Sequence, residues 1–198
     1  METISNILFW ISNGLLVPVV LLLLLFFGRS LLLAGGFFGE FYKRTKYTGL
    51  LTDVLEKMTF ENAKQLLSTL PPVKNDPLFS CIQKMNIHSR DNAYCERLLA
   101  NFEIEADRQL GVSRLFVKLG PMLGLMGTLI PMGPALVGLA NGDISSMAYN
   151  MQVAFATTVV GMIIAAIGVV TLQIKKRWYA RSINDLEFIY KKITNEQE

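Results

Sequence analysis

The sequence predicts an all-α membrane protein, with three transmembrane helices and a cytoplasmic helical hairpin extension. Three observations carry that reading. Of 198 residues, 18% are charged and 52% hydrophobic, whereas an ordinary soluble domain carries about 25% charged residues. The missing charges are missing in blocks: 26 uncharged residues separate Glu2 from Arg29, 24 separate Lys118 from Asp143, and 31 separate Asp143 from Lys175. Each block exceeds the roughly 20 apolar residues that a helix needs to cross about 30 Å of hydrocarbon. The long polar segment between the first two blocks has helical periodicity. Disorder, a soluble enzyme and nucleic-acid binding by bulk charge are all poor fits to such a chain.

The first apolar stretch, roughly Ile11 to Leu33, has no Lys or Arg before it. A secretory signal starts with a positive region and has a shorter apolar core, so the stretch reads as a retained anchor whose Arg29 snorkels from its end. Basic residues then set the threading. Residues 43–118 hold 12 Lys+Arg and the tail from Lys175 holds 6, while residues 1–10 and 141–150 hold none. Lys43, Arg44, Lys46, Arg114, Lys118, Lys175, Lys176 and Arg177 flank the spans, which places the N-terminus outside and the C-terminus in the cytoplasm. The expected location is the cell inner (plasma) membrane, with the basic flanks on its cytoplasmic side. Trp10, Trp178 and Tyr179 fall where aromatic belts are expected.

The organisation that follows is an outer N-terminus and first span over 1–41, and a cytoplasmic helical hairpin over 42–118. The second and third spans, with a short outer link, occupy 119–174, and a cytoplasmic C-terminal helix 175–198. Within the hairpin, Leu51, Leu55, Met58, Leu66 and Leu67 recur at helical spacing from Glu40 to Leu70. The PPVKNDP run from Pro71 to Pro77 breaks the pattern, because proline lacks the N–H donor and disfavours helix before it. A second helix starts at about Leu78 or Ser89 and runs without a strong stop into the second span. Unbroken from Ser89 to Lys118, it makes a rod of about 45 Å. Cys81, His88 and Cys95 are spaced by seven and share a helical face, a spacing unlike that of zinc ligands, so no metal is expected. On the cytoplasmic side the two thiols stay reduced. The modest basic excess, 12 against 9 in the hairpin and 6 against 4 in the tail, suits anionic membrane lipid and not nucleic acid. No cofactor motif is present.

The second and third spans hold the chemistry. The second, KLGPMLGLMGTLIPMGPALVGLA from Lys118 to Ala140, is rich in glycine, with three prolines and one hydroxyl, Thr128. Small residues let helix backbones approach, and in lipid such packing replaces the hydrophobic drive. Gly124, Thr128, Pro131 and Ala135 fall on one face, with Gly127 beside them. Pro131 and Pro134 would release the carbonyls of Gly127 and Ile130, which must then be satisfied by a neighbour, water or an ion. In the third span Ala154, Thr158, Gly161, Ala165 and Gly168 recur at four, three, four and three, a small-residue stripe that predicts a packing or pore face, with Thr157 about 100° away. A buried threonine also bonds the carbonyl three or four residues back whatever its role. Neither span contains Asp, Glu, Lys or His. These helices therefore cannot by themselves supply the titrating group of a proton relay; the carrier must come from elsewhere, and a partner's carboxylate entering between them would meet that need.

GLMGT (Gly124 to Thr128) and AFATTVVG (Ala154 to Gly161), with three spans and a large insert between the first two, resemble the MotA/TolQ/ExbB proton channel family. The layout is similar to the three-span ExbB and TolQ branch. The resemblance implies a fivefold homo-oligomeric ring around single-span partners of the ExbD/TolR/MotB kind, whose membrane-embedded Asp carries the ion, H⁺ or Na⁺. It also implies that Thr128 and Thr158 stand in the ion path, with Thr157 adjacent. Val153 occupies the position at which well-known ExbB and TolQ members have a glutamate, and Pro131 and Pro134 are unlike those members, so a divergent branch with its own partner is expected. The expected function is a subunit of a channel or motor complex that uses the ion motive force to drive a partner, with no covalent catalysis. A non-conducting membrane scaffold that organises cytoplasmic or membrane partners is the alternative, and a small-solute transporter is weaker because paired repeats are lacking.

Overall fold

The computed structural model describes residues 2–59, 62–69 and 76–194, and every regular element among them is a helix. In order these are α1 (Glu2–Gly14), α2 (Leu16–Glu56), α3 (Ala63–Thr69), α4 (Pro77–Ile87), α5 (Asn92–Ala140) and α6 (Ile144–Thr194). Three helical stretches, Ile7–Arg44, Asn92–Ala140 and Ile144–Ile193, are long and apolar enough to cross a membrane. The chain is an all-α, multi-pass membrane protein. It divides into two compact units, Met1–Phe37 with Val112–Leu172, and Phe38–Gly111 with Gln173–Glu198.

Helix boundaries follow local chemistry. The interruption between α1 and α2 at Leu15 lies three residues before Pro18, whose missing N–H cannot bond the Gly14 carbonyl. Three aspartates cap three helices. Asp76 Oδ1 accepts from Leu78 N at 2.9 Å with Pro77 at the first helical position, Asp91 Oδ1 accepts from Tyr94 N at 3.0 Å, and Asp143 Oδ1 accepts from Ser146 N at 2.9 Å. Each satisfies a backbone donor that the first turn leaves without an intrahelical partner. The link from α5 to α6 is a Schellman turn. Asp143 N donates to Gly138 O at 2.8 Å and Gly142 N to Leu139 O at 3.1 Å, with Gly142 at φ +72°, a conformation that glycine adopts without steric cost.

Two expected continuities are broken. The helix expected over Glu40–Leu70 ends at Glu56 and resumes as α3. Asn62 stabilises the break, accepting from Thr59 N at 2.7 Å and donating to Lys57 O at 3.3 Å, so a side chain replaces the intrahelical partners of that turn. The helix expected from Leu78 is likewise two, because His88–Asp91 separate α4 from α5. The start near Ser89 is the closer alternative. Of the PPVKNDP run, residues 71–75 lie outside the described residues. The absence of a stop before the second span is realised: α5 runs 49 residues without interruption.

In the first unit, Val19 and Leu23 of α2 bury against Phe116, Leu123 and Ile130 of α5 and Ile164 of α6. Phe26 meets Phe116 edge to face at 5.7 Å. In the second unit, the buried side chains include Leu78, Ile82 and Met85 of α4, Cys95 and Phe102 of α5, and Tyr179, Leu186 and Ile189 of α6. Glu40 Oε2 pairs with Lys175 Nζ at 2.8 Å. The Arg44 guanidinium lies 5.4 Å from the Trp178 ring and 5.2 Å from the Tyr179 ring, within cation–π range. Tyr179 Oη donates to Gln109 Oε1. Cys81 and Cys95 are free and buried, on α4 and α5 and so not on one helix as their spacing suggested. Their thiols donate to the carbonyls of Leu98 at 3.8 Å and His88 at 3.5 Å.

Candidate ion path

The α5 and α6 helices of the first unit meet along glycine. A methyl built on Gly120 would stand 2.8 Å from Gly161 O and 3.0 Å from Ala165 N. One on Gly124 would stand 3.4 Å from Gly161 Cα, and one on Gly168 would stand 2.9 Å from Val117 N. At Gly120 and Gly168 no side chain fits without displacing backbone, whereas a methyl at Gly124 would make ordinary van der Waals contact. This backbone-to-backbone contact is the packing that apolar surroundings favour, since helices in hydrocarbon gain from dispersion and close approach in place of solvent exclusion.

Thr157 belongs to this contact. A Cβ on Gly127 would stand 2.6 Å from both Cβ and Oγ1 of Thr157, and Thr157 is 5% exposed. The buried line of α6 is therefore Ala154, Thr157, Gly161, Ile164, Gly168 and Thr171, while Thr158 and Ala165 are half-buried beside it. The stripe read from the sequence shared Ala154, Gly161 and Gly168 with this line but took Thr158 for its hydroxyl, one position away. On α5 the corresponding line is Gly120, Gly124, Gly127, Pro131 and Ala135, all buried, with Thr128 half-buried at its edge.

All three threonine hydroxyls donate to their own helix: Thr128 Oγ1 to Leu125 O at 2.7 Å, Thr157 Oγ1 to Ala154 O at 2.9 Å, and Thr158 Oγ1 to Ala154 O at 3.2 Å. A hydroxyl that has spent its proton in this way retains two lone pairs. It can accept from a protonated acid or coordinate a cation, provided something can reach it. Thr157 is closed off by Gly127, whereas Thr128 and Thr158 remain accessible. α5 passes Pro121, Pro131 and Pro134 as one helix, and Pro131 is fully buried. The carbonyl it leaves without an intrahelical donor, that of Gly127, belongs to the residue on which Thr157 sits. Val153 is half-buried and Gln152 exposed.

A sequence model of the MotA/TolQ/ExbB proton channel family matches residues 76–187, more than half of the chain. The chain belongs to the MotA/TolQ/ExbB proton channel family. A search of curated proteins returns no match. Membership brings an ion-channel or motor-type role in a membrane complex, in a family of proton channels and not of enzymes. The matched region takes in all of α5 and α6 as far as residue 187, with Thr128, Thr157 and Thr158. One polar contact of this MotA/TolQ/ExbB chain escaped sequence reasoning. Ser113 and Thr171 are both buried, and Thr171 Oγ1 lies 3.2 Å from Ser113 Oγ while also donating to Ile167 O at 2.8 Å. Thr171 continues the Ala154–Gly168 line by three residues, so extending the stripe one turn would have found it.

Proposed function

We propose that this chain is the channel subunit of a membrane motor, a homo-oligomer, most simply a pentamer. It uses the ion motive force to move a partner that brings the ion-carrying carboxylate in a single membrane span. The supporting observation is a division of labour among hydroxyls. Thr157 is spent inside the α5–α6 contact, and Thr128 and Thr158 stay reachable with free lone pairs. No acid lies in either span, since residues 119–142 and 144–174 carry no charge. A neutral, hydroxyl-bearing wall lowers the cost of a passing ion or protonated acid but cannot hold a proton itself. Gly124, Gly127, Pro131, Ala135, Ala154, Gly161 and Ala165 build that wall by holding the two helices together.

The orientation is N-terminus out and C-terminus in the cytoplasm of the inner membrane, from the basic residues that flank the spans. The layout fits the three-span ExbB and TolQ branch. With Val153 in place of an acid, proton transfer between the partner's carboxylate and water needs no second carboxylate from this chain.

The decisive test is ion flux in vesicles holding the chain together with its cognate single-span partner. Thr128→Val and Thr158→Val, which exchange a hydroxyl for a methyl of similar size, should assemble at wild-type mass but lose flux. Wild-type flux in both variants would refute the path. Assembly that conducts nothing, with or without the partner, would favour the scaffold.

A further inference from the structure

The second unit holds a cavity of about 330 Å³, at the lower end of the volumes that small-molecule sites occupy. Its walls are aromatic and aliphatic. Tyr47 and Leu51 come from α2, Leu78 and Phe79 from the first turn of α4, and Trp178 from α6. Tyr47 and Phe79 meet edge to face at 5.9 Å, and the Arg44 guanidinium lies against Trp178. Such walls suit a flat ring, which stacks on aromatic side chains and on a guanidinium plane alike.

Among the described residues that line the cavity, Arg44, Asp76, Arg181 and Asp185 are charged. Asp76 is engaged as the α4 cap, accepting from Leu78 N at 2.9 Å. The other three are two guanidiniums and one carboxylate, an excess that calls for an anion, and the planar fork of arginine suits a phosphate. Asp185 adds a second requirement. It is half-buried, so an occupant that displaces its remaining water has to supply hydrogen-bond donors in exchange. A free aromatic amino acid fits the walls but has no net charge. An aliphatic phosphate leaves the rings unused. Guanine presents two adjacent donors, N1–H and the 2-amino group, spaced for the two oxygens of one carboxylate, whereas adenine sets an acceptor, N1, beside its amino group.

We propose that this cavity binds a guanine nucleotide, with the base between the aromatic walls, its donor edge on Asp185 and its phosphate on Arg44 and Arg181. Ser182 also lines the cavity and offers a hydroxyl to the ribose. The volume suits a mononucleotide. Arginine forks take the phosphate, so no glycine-rich loop is needed. All of these residues belong to the second unit, whereas Thr128 and Thr158 belong to the first, so the proposal does not depend on the ion-path reading.

The test is calorimetric titration of the full chain in lipid nanodiscs with GMP, IMP, AMP, guanosine and inorganic phosphate. GMP should bind at least about tenfold more tightly than AMP, as a bidentate base contact implies. IMP, which keeps N1–H but lacks the 2-amino group, should fall between them. Asp185→Asn should level GMP and AMP. Arg181→Gln should weaken GMP about tenfold and leave guanosine unchanged, which separates the phosphate contact from the base contact. Equal binding of GMP and AMP to the wild type would overturn the proposal, as would no binding of GMP at millimolar concentration. Inorganic phosphate that displaces GMP, with no binding of guanosine, would also overturn it, because the cavity would then be a simple anion site.

Discussion

The backbones of Gly161 and Gly120 pass so close that a methyl built on Gly161 would stand 2.6 Å from the Gly120 carbonyl oxygen and 2.9 Å from Gly124 Cα. The obstructing atoms are backbone, which cannot rotate aside as a side chain would. The separation of α5 and α6, and with it the position of every hydroxyl between them, therefore depends on the absence of one carbon atom.

Gly161→Ala should destabilise the fold by about 1–3 kcal/mol through overpacking, with loss of the detergent-stable assembly on heating. Gly111→Ala is the control. It lies within α5, and its added methyl meets nothing within 4 Å, so it should be neutral or raise the melting temperature, consistent with a helix-propensity gain of up to about 1 kcal/mol.

The three threonines should separate by phenotype. Thr158→Val and Thr128→Val should leave thermal stability within about 1 kcal/mol of wild type while abolishing flux with the partner. Thr157→Leu should fail earlier, because the larger side chain must enter the space beside Gly127. A lowered melting temperature and reduced oligomer yield would report that outcome before any flux measurement.

Tyr179→Phe should cost about 1 kcal/mol of stability. It removes the hydroxyl that bonds Gln109 but keeps the ring beneath Arg44. Tyr179→Ala should cost several times as much, since the residue is 5% exposed and its ring also meets Phe102. Urea melts of the two variants check the ordering.

Burial pushes the Cys81 thiol up to about 11, an effect that Lys84 opposes and Cys95 reinforces. Because the thiolate is the nucleophile, alkylation of folded Cys81 at pH 8 should run on the order of a hundredfold slower than that of an unfolded cysteine. Mass spectrometry of iodoacetamide-treated protein measures this directly. Linkage gives the sign for stability. The folded value lies above the unfolded one, so the unfolded state loses this proton first as pH rises through about 9. Whatever stability this thiol contributes is complete below that pH and declines until about 11.

Much of the architecture was legible because its signals are local. Uncharged blocks longer than a bilayer is thick read as spans, and Gly124, Gly161 and Gly168 pointed to a packing or pore face because small residues recur there at helical spacing. Thr157 and Thr158 were harder to tell apart. They are chemically identical neighbours separated by about 100° of rotation, and a stripe drawn through Thr158 fits a helical repeat as well as one drawn through Thr157. The break after Glu56 and the one at His88–Asp91 were hidden for another reason. They are held by the Asn62 amide and the Asp91 carboxylate, side chains that solvated helices also carry on their surfaces.

By itself, the sequence determined that three stretches are long and apolar enough to cross a membrane, that the second and third carry small-residue stripes suited to packing or to a pore wall, and that residues 119–142 and 144–174 hold no Asp, Glu, Lys, Arg or His, since composition and periodicity suffice for each. Only the tertiary structure decided which hydroxyl is consumed by the fold and which two remain open. Those outcomes depend on the rotation of each helix about its own axis. That rotation is fixed by contacts such as Gly127 against Thr157, between residues some thirty positions apart, and no local pattern encodes it.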